Sequence, residues 1–386
     1  MKSVCLVISL FCFGFISHQA VVAFEDASDT ILPVEALRNN SMDIEMADLD
    51  NDGDLDVVIA MEFRPNILLV NNGKGKLEDA SQGRLPQKNF DSEDIAIGDF
   101  DRDGDLDIIF VAEDDQQHEY YVNDGKAVFS EAPQGFSFPS TCNAIEAADF
   151  DKDGDLDLVL GNAGQDFFLV NDGKGHFSDE TKSHMPQDQN TTQDVQSADV
   201  DGDGDLDLIM GNEDGNRLYL NDGRGFFVDA TNERLPLADE ETRKVDVADV
   251  DKDGDLDIFF SNVNFGKSKN LANRLLINNG KGFFTDETGK RYAVANNMHT
   301  GDISFVDLDN DLDLDMVIAN VFGGYIQIAA NNGKGNFKEV TSEVFALQVK
   351  GDAISVDVID INNDKRLDIY VGMFRGTDKF FLNKGR

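Results

Sequence analysis

The stretch Asp48-Leu49-Asp50-Asn51-Asp52-Gly53-Asp54-Leu55-Asp56-Val57-Val58-Ile59 decides the fold. Its first nine residues put carboxylates at positions 1, 3, 5, 7 and 9 and glycine at position 6, and an apolar run follows at once. The same segment returns from Asp99, Asp149, Asp199 and Asp249, then in altered form from Asp307 and Asp360. A second motif of the Asn-x-Gly type follows each copy in phase, as at Asn71, Asn171 and Asn221, with a longer interval in the fifth copy. Self-similarity at a period near 50 residues, counted seven times, marks one repeat domain instead of several unrelated ones.

Each copy contains four strand-like stretches and no helical one. In the first, Ile44, Met46 and Leu49 precede the acidic loop, Val57–Met61 and Ile67–Val70 are apolar runs, and a short stretch surrounds Leu77. The Asn-x-Gly segment between the last two supplies the positive φ of a tight hairpin. Four antiparallel strands per repeat predict an all-β fold, a seven-bladed β-propeller. The last copy stops near Asn383, short of its fourth strand, whereas Phe24-Glu25-Asp26-Ala27-Ser28 matches Leu77-Glu78-Asp79-Ala80-Ser81. The expectation is that this N-terminal strand completes blade seven and closes the ring, removing exposed sheet edges. Residues 24–386 are then a single propeller, and residues 1–23 a signal peptide. Lys2 gives a positive start, Val4–Ile16 is an apolar run, and Val21 and Ala23 suit a cleavage site before Phe24.

The acidic loop reads as a metal site. Oxygen ligands gathered in one tight turn suit Ca²⁺ better than Mg²⁺, and without His or Cys they do not suit zinc or copper. Five loops are complete: Asp48, Asp50, Asp52, Asp54 and Asp56; Asp99, Asp101, Asp103, Asp105 and Asp107; Asp149, Asp151, Asp153, Asp155 and Asp157; Asp199, Asp201, Asp203, Asp205 and Asp207; Asp249, Asp251, Asp253, Asp255 and Asp257. The sixth keeps Asp307, Asp309, Asp311, Asp313 and Asp315 but has Leu312 at the bend. The seventh retains Asp360, Asn362, Asp364 and Asp368, with Lys365 and Arg366 intruding. The loop shares its opening positions with an EF-hand but ends differently, since position 12 is Ile59 instead of a bidentate Glu.

These residues resemble the FG-GAP/VCBS-type repeat family, whose propellers include the head of integrin α-subunits. The resemblance covers essentially all of residues 24–386 and implies calcium on the Asp positions of each intact loop, with position 7 adding its main-chain oxygen. The combination of Phe-Gly with Gly-Ala-Pro that names the integrin repeat is not found here, so integrin-like adhesion does not follow.

Charge and composition agree with this picture. The 386 residues carry 75 acidic against 33 basic side chains, a net charge of −42, which disfavours nucleic acid and anionic membrane surfaces as partners. The loops hold 33 of the 75 acids, so much of the charge belongs to metal sites. At 41% hydrophobic residues with 29 Phe, the chain has material for a core and is not disordered. No stretch of residues 24–386 is long and apolar enough for a membrane span. Cys5 and Cys12 fall in the signal, leaving only Cys142, so no internal disulfide forms. A secreted protein, extracellular or periplasmic, with calcium in place of disulfides is the expectation.

In an up-and-down blade the acidic loops and Asn-x-Gly hairpins share one face. The other face collects the segments that vary between copies, among them Glu62-Phe63-Arg64, Asp114–His118, Asn262–Asn273 and Phe374-Arg375. A protein or glycan ligand is expected there, because rigid scaffolds carry binding on variable loops. No nucleophile elbow, complete phosphate loop or His cluster with metal spacing occurs. Three readings remain open: a binding or adhesion module, a secreted polysaccharide lyase or hydrolase, and a structural matrix protein.

Overall fold

The structure, a computed structural model, describes residues 22–33, 40–133, 136–266 and 269–385. Most of the predicted signal, including Lys2, Val4–Ile16 and Val21, lies outside the described residues. Within them, every repeat forms a four-stranded antiparallel sheet. In the first, the strands are Ser41–Ala47, Asp56–Arg64, Ile67–Asn71 and Leu77–Asp79, joined in that order. Five further sheets, built from residues 90–131, 142–179, 192–229, 242–286 and 299–339, repeat the order.

The seventh sheet takes three strands from the end of the chain, Asp352–Ile359, Asp368–Arg375 and Lys379–Asn383, and its outer strand, Phe24–Asp26, from the beginning. Phe24 pairs with Asn383 and Asp26 with Phe381, as the match between Phe24–Ser28 and Leu77–Ser81 predicts. The N-terminal segment also reproduces the local chemistry of an outer strand. Ser28 Oγ accepts from Phe380 N at 3.0 Å, as Ser81 Oγ accepts from Leu68 N and Thr231 Oγ1 from Leu218 N.

The apolar residues of each sheet pack against its neighbours, so the core is divided among blade interfaces. One cluster joins Leu49, Val58 and Leu68 of the first blade to Ile95, Ile108 and Phe110 of the second. Another joins Ile359, Ile361, Tyr370 and Phe380 of the last blade to Ile44, Val57 and Leu69 of the first. The innermost strands touch in sequence around the same circuit, and the last, Asp352–Ile359, returns to Ser41–Ala47. The architecture is thus a closed ring of four-stranded blades, a β-propeller. Burying each blade's two faces against neighbours is the main source of stability, because apolar area removed from water contributes about 25 cal/mol per Å².

Three features depart from the expectation. The sixth sheet gains a fifth strand, Tyr292–Ala293, parallel to Phe337–Glu339. Short helical turns follow several outer strands, for example Thr181–His184 and Thr231–Arg234, where four strands and no helix are expected. Each gives a compact way for the chain to leave the rim, and its first Thr side chain satisfies a backbone N–H of the third strand. In addition, the second strand of blade one runs on and pairs with the inner strand of blade two, Glu62 opposite Asp91 and Arg64 opposite Phe90, fusing these two sheets.

Candidate functional site

The acidic loops are organised by their own backbone. In the first, Asp48 accepts from Asp52 N at 3.1 Å and Gly53 N at 3.0 Å, and Asp52 accepts from Asp54 N at 3.0 Å. The bend requires positive φ, 94° at Gly53 and 61° at Asn51. One carboxylate oxygen from each of positions 1, 3 and 5 then lies within 4.8 Å of the others, as for Asp48, Asp50 and Asp52 or Asp199, Asp201 and Asp203. Positions 7 and 9 also make bonds outside this cluster. Asp56, fully buried, accepts from Leu49 N at 3.2 Å and Asn71 N at 2.9 Å, pegging the loop to the hairpin.

Position 7 and position 4 together clasp adjacent blades. Asn51 of blade one donates to Asp105 of blade two at 3.2 Å, and Asn363 of blade seven to Asp54 of blade one at 2.9 Å. Arg102 pairs with Asp155, Lys152 with Asp205 and Lys252 with Asp313 in the same manner. The hairpin adds a second stitch. Asn221 Nδ2 donates to Phe150 O of the preceding blade's loop at 2.9 Å and to Leu206 O of its own at 3.1 Å. Its glycine is favoured, because φ is 73° at Gly223 and a Cβ there would stand 2.6 Å from Asp205 Oδ1, forcing that carboxylate to move. Sequence reading missed the clasp. Its signal was present, since position 4 is Asn, Arg or Lys in six copies and faces an Asp of the next in five of them.

The donor set fits a hard divalent cation. Oxygens of Asp50, Asp99, Asp149, Asp201 and Asp251 are buried without a hydrogen-bond partner, an arrangement that is costly unless a cation satisfies it. Burial, then the neighbouring Asp52 and Asp48, raise the Asp50 carboxyl above its ordinary value. Burial pushes Asp56, Asp107 and Asp207 up to about 7. The two altered loops keep the same backbone bonds. Leu312 N donates to Asp307 at 3.0 Å and Lys365 N to Asp360 at 2.7 Å, but with non-glycine residues at φ 71° and 67°. In the seventh loop Arg366 pairs with Asp364, placing a built-in positive charge among its carboxylates.

On the opposite face, a cavity of about 250 Å³ opens at the mouth of the central channel. Glu62, Glu93, Glu113 and Glu213 line one part, and Phe265, Phe322 and Phe374 another. Arg243 lies at its buried side, 3.5 Å from Glu93. Phe265 and Phe322 are 51% and 48% exposed and meet edge to face at 6.1 Å. Phe63 is exposed but does not line the cavity; it holds φ 54°, an uncommon state for a bulky residue. Deeper in the channel, Lys244 Nζ lies 3.3 Å from Asp94 and from Asp194. The other oxygens of those acids accept from Ile145 N and Val245 N of the following blades. Sequence reading missed this acid-lined channel, although Asp43, Asp94, Asp194, Lys244 and Asp302 share one repeat position, five residues before the first Asp of their loops.

The histidines do not assemble into a metal set among the described residues. His118 is held by Ala112 N and Phe138 O, and burial lowers it to about 4. Cys142 is buried, donates to Ala144 O at 3.2 Å, and burial pushes its thiol up. No described helix is long and apolar enough to cross a membrane.

The FG-GAP-like repeat matches residues 48–110, 109–160, 149–210, 199–260 and 307–371, well over half of the chain. The chain belongs to the FG-GAP-like repeat family. A search of curated proteins returns no match. Among solved structures, the chain is similar to BBS1N in complex with ARL6DN, in crystals soaked with mercury or lead. Identity is 11% and 10%, coverage 95% and 94% of this chain and 97% and 96% of those, and TM-score 0.55 and 0.57. An Agrocybe aegerita lectin that recognises non-reducing terminal N-acetylglucosamine matches at 20% identity over 79% of this chain and 81% of its own, with TM-score 0.47. At these identities the likeness concerns the fold. This FG-GAP repeat propeller has the form of a binding module.

Proposed function

We propose that this FG-GAP repeat protein is an exported, calcium-stabilised propeller that binds a protein or glycan partner on its variable face. The observation that carries the reading is the mouth cavity, where exposed Phe265 and Phe322 stand beside four glutamates on the face away from the acidic loops. Solvent-exposed aromatic rings beside polar groups are common anchors for partners. Calcium would be held by positions 1, 3 and 5 of the five intact loops, where unpartnered buried oxygens favour it. It supplies charge compensation and fixes the loop between the first two strands of each blade. Export rests on the pattern Lys2, Val4–Ile16 and Ala23.

The mouth lining contains one arginine and, among the described residues, no lysine, histidine or tyrosine, so no observation favours the polysaccharide lyase or hydrolase reading. Glycan-array screening and pull-down with purified protein candidates, each with and without Ca²⁺, test the proposal. Binding that falls at least tenfold in Phe265→Ala or Phe322→Ala supports it. Partners that bind both variants as well as the parent chain overturn it.

A further inference from the structure

Outside the repeat loops, the second blade gathers three more carboxylates. Asp91 begins its inner strand, and Glu113 and Asp114 lie in the turn after its second strand, Asp107–Ala112. One oxygen from each lies within 4.8 Å of the others. The turn is fastened back onto the strand. Glu113 N donates to Asp91 O at 3.2 Å, Asp114 N to Asp91 Oδ2 at 2.9 Å, and Asp91 N to Asp115 Oδ2 at 3.0 Å. Asp91 is only 2% exposed, yet its Oδ1 has no hydrogen-bond partner. Glu62, paired with Asp91 across the two fused sheets, adds a further negative charge nearby.

We propose that Asp91, Glu113 and Asp114 form a further divalent-cation site, on the face opposite the acidic loops and at the rim of the central mouth. A buried carboxylate oxygen with no donor, beside two more carboxylates, is costly unless a cation neutralises it. Oxygen-only donors select a hard ion, Ca²⁺ before Mg²⁺ in a turn of this flexibility, and the absence of sulfur and imidazole disfavours zinc. The site does not come from the repeat. The bond between Glu113 N and Asp91 O recurs from Glu62 to Asn40, Ala163 to Thr141, Glu213 to Thr191 and Val263 to Glu241, but only the second blade has acids at both ends. Glu113 also lines the mouth cavity, so the ion would stand at its edge, within reach of a ligand's oxygen atoms.

Equilibrium dialysis of the full chain against Ca²⁺ tests this, comparing the parent with Asp91→Asn and Asp114→Asn. Asp114 is exposed, so its variant keeps the fold even where Asp91→Asn loses it, as circular dichroism will report. The expected result is one bound equivalent fewer, or at least tenfold weaker binding of one equivalent. An unchanged isotherm for Asp114→Asn overturns the proposal. Asp103→Asn, in the acidic loop of the same blade, serves as comparator, and its loss should add to that of Asp114→Asn. If the acidic loops bind no calcium, the parent chain retains one equivalent and Asp103→Asn changes nothing, which separates failure of the loop reading from failure of this one.

Discussion

The two faces of the ring are built on opposite principles. On the loop face the same bonds recur: a carboxylate peg at position 9, a clasp from position 4 to the next blade's position 7 at five junctions, and an Asn bridging two loops. On the mouth face, equivalent positions hold Glu62, Glu113, Ala163, Glu213 and Val263, so the lining differs, although beneath it Asn66, Asp166, Asn216, Asn273 and Asp378 each accept from a second-strand N–H. Both ends join the blades, the mouth end through buried pairs such as Asn66 with Ser92 and Asn216 with Thr242, but the loop face is constrained at its surface as well. The mouth surface is free to differ from blade to blade, which is where recognition can be placed at little cost in stability.

Removing the cations should break this contrast most severely. In excess EGTA the melting temperature is expected to fall by many degrees, as several clusters of unpaired carboxylates are left facing one another. A superimposable calorimetric trace would show that the loop face needs no metal. Next in size is Asp207→Ala, which orphans the N–H groups of Val200 and Asn221 and should cost roughly 2–4 kcal/mol by denaturant unfolding.

The metal-free protein should also respond to pH. Burial, aided by neighbouring acids, raises Glu45 and Asp246 to about 8 and Asp207 to about 7, whereas unfolded carboxyls titrate near their ordinary values of 3.8 to 4.5. Between those values the folded state binds more protons, so stability falls as pH rises through this window. In EGTA, melting should therefore be higher at pH 6 than at pH 8.5. With calcium present the gain should shrink or reverse, because protons then compete with the metal. Identical pH trends with and without calcium would remove the link.

Smaller effects sharpen the comparison. Leu312, 78% exposed at φ 71°, contributes no burial and strains the sixth bend. Leu312→Gly should stabilise by about 1 kcal/mol, read from the urea midpoint, and tighten calcium binding at that loop. On the mouth face, Phe322→Ala should change stability by less than about 1 kcal/mol while removing partner binding. A large loss of stability there would mean that the faces are not divided as described.

Much of this could be read from the chain alone. The period near 50 residues, the Asn-x-Gly hairpins and the match of Phe24–Ser28 to Leu77–Ser81 gave the blade, its turn and the closing strand. Each is a local pattern, set by backbone preference and by alternation of apolar residues. The acidic clusters at positions 1, 3 and 5 were equally legible, because ligands within one turn need no tertiary information. The helical turns at Thr181–His184 and Thr231–Arg234 were not, since four-residue turns carry too little periodicity to register.

By itself, then, the sequence determined the repeat, the strand order within a blade and the oxygen-rich loops, all products of neighbours along the chain. Only the tertiary structure decided how one copy meets the next: Lys152 on Asp205, Asn221 on Phe150, Lys244 between Asp94 and Asp194, and Asp91 beneath Glu113 and Asp114. The physical reason is distance along the chain. Lys244 and Asp94 are 150 residues apart and acquire a shared environment only when the ring closes. Burial then sets their charge, and closure is a property of all the blades together.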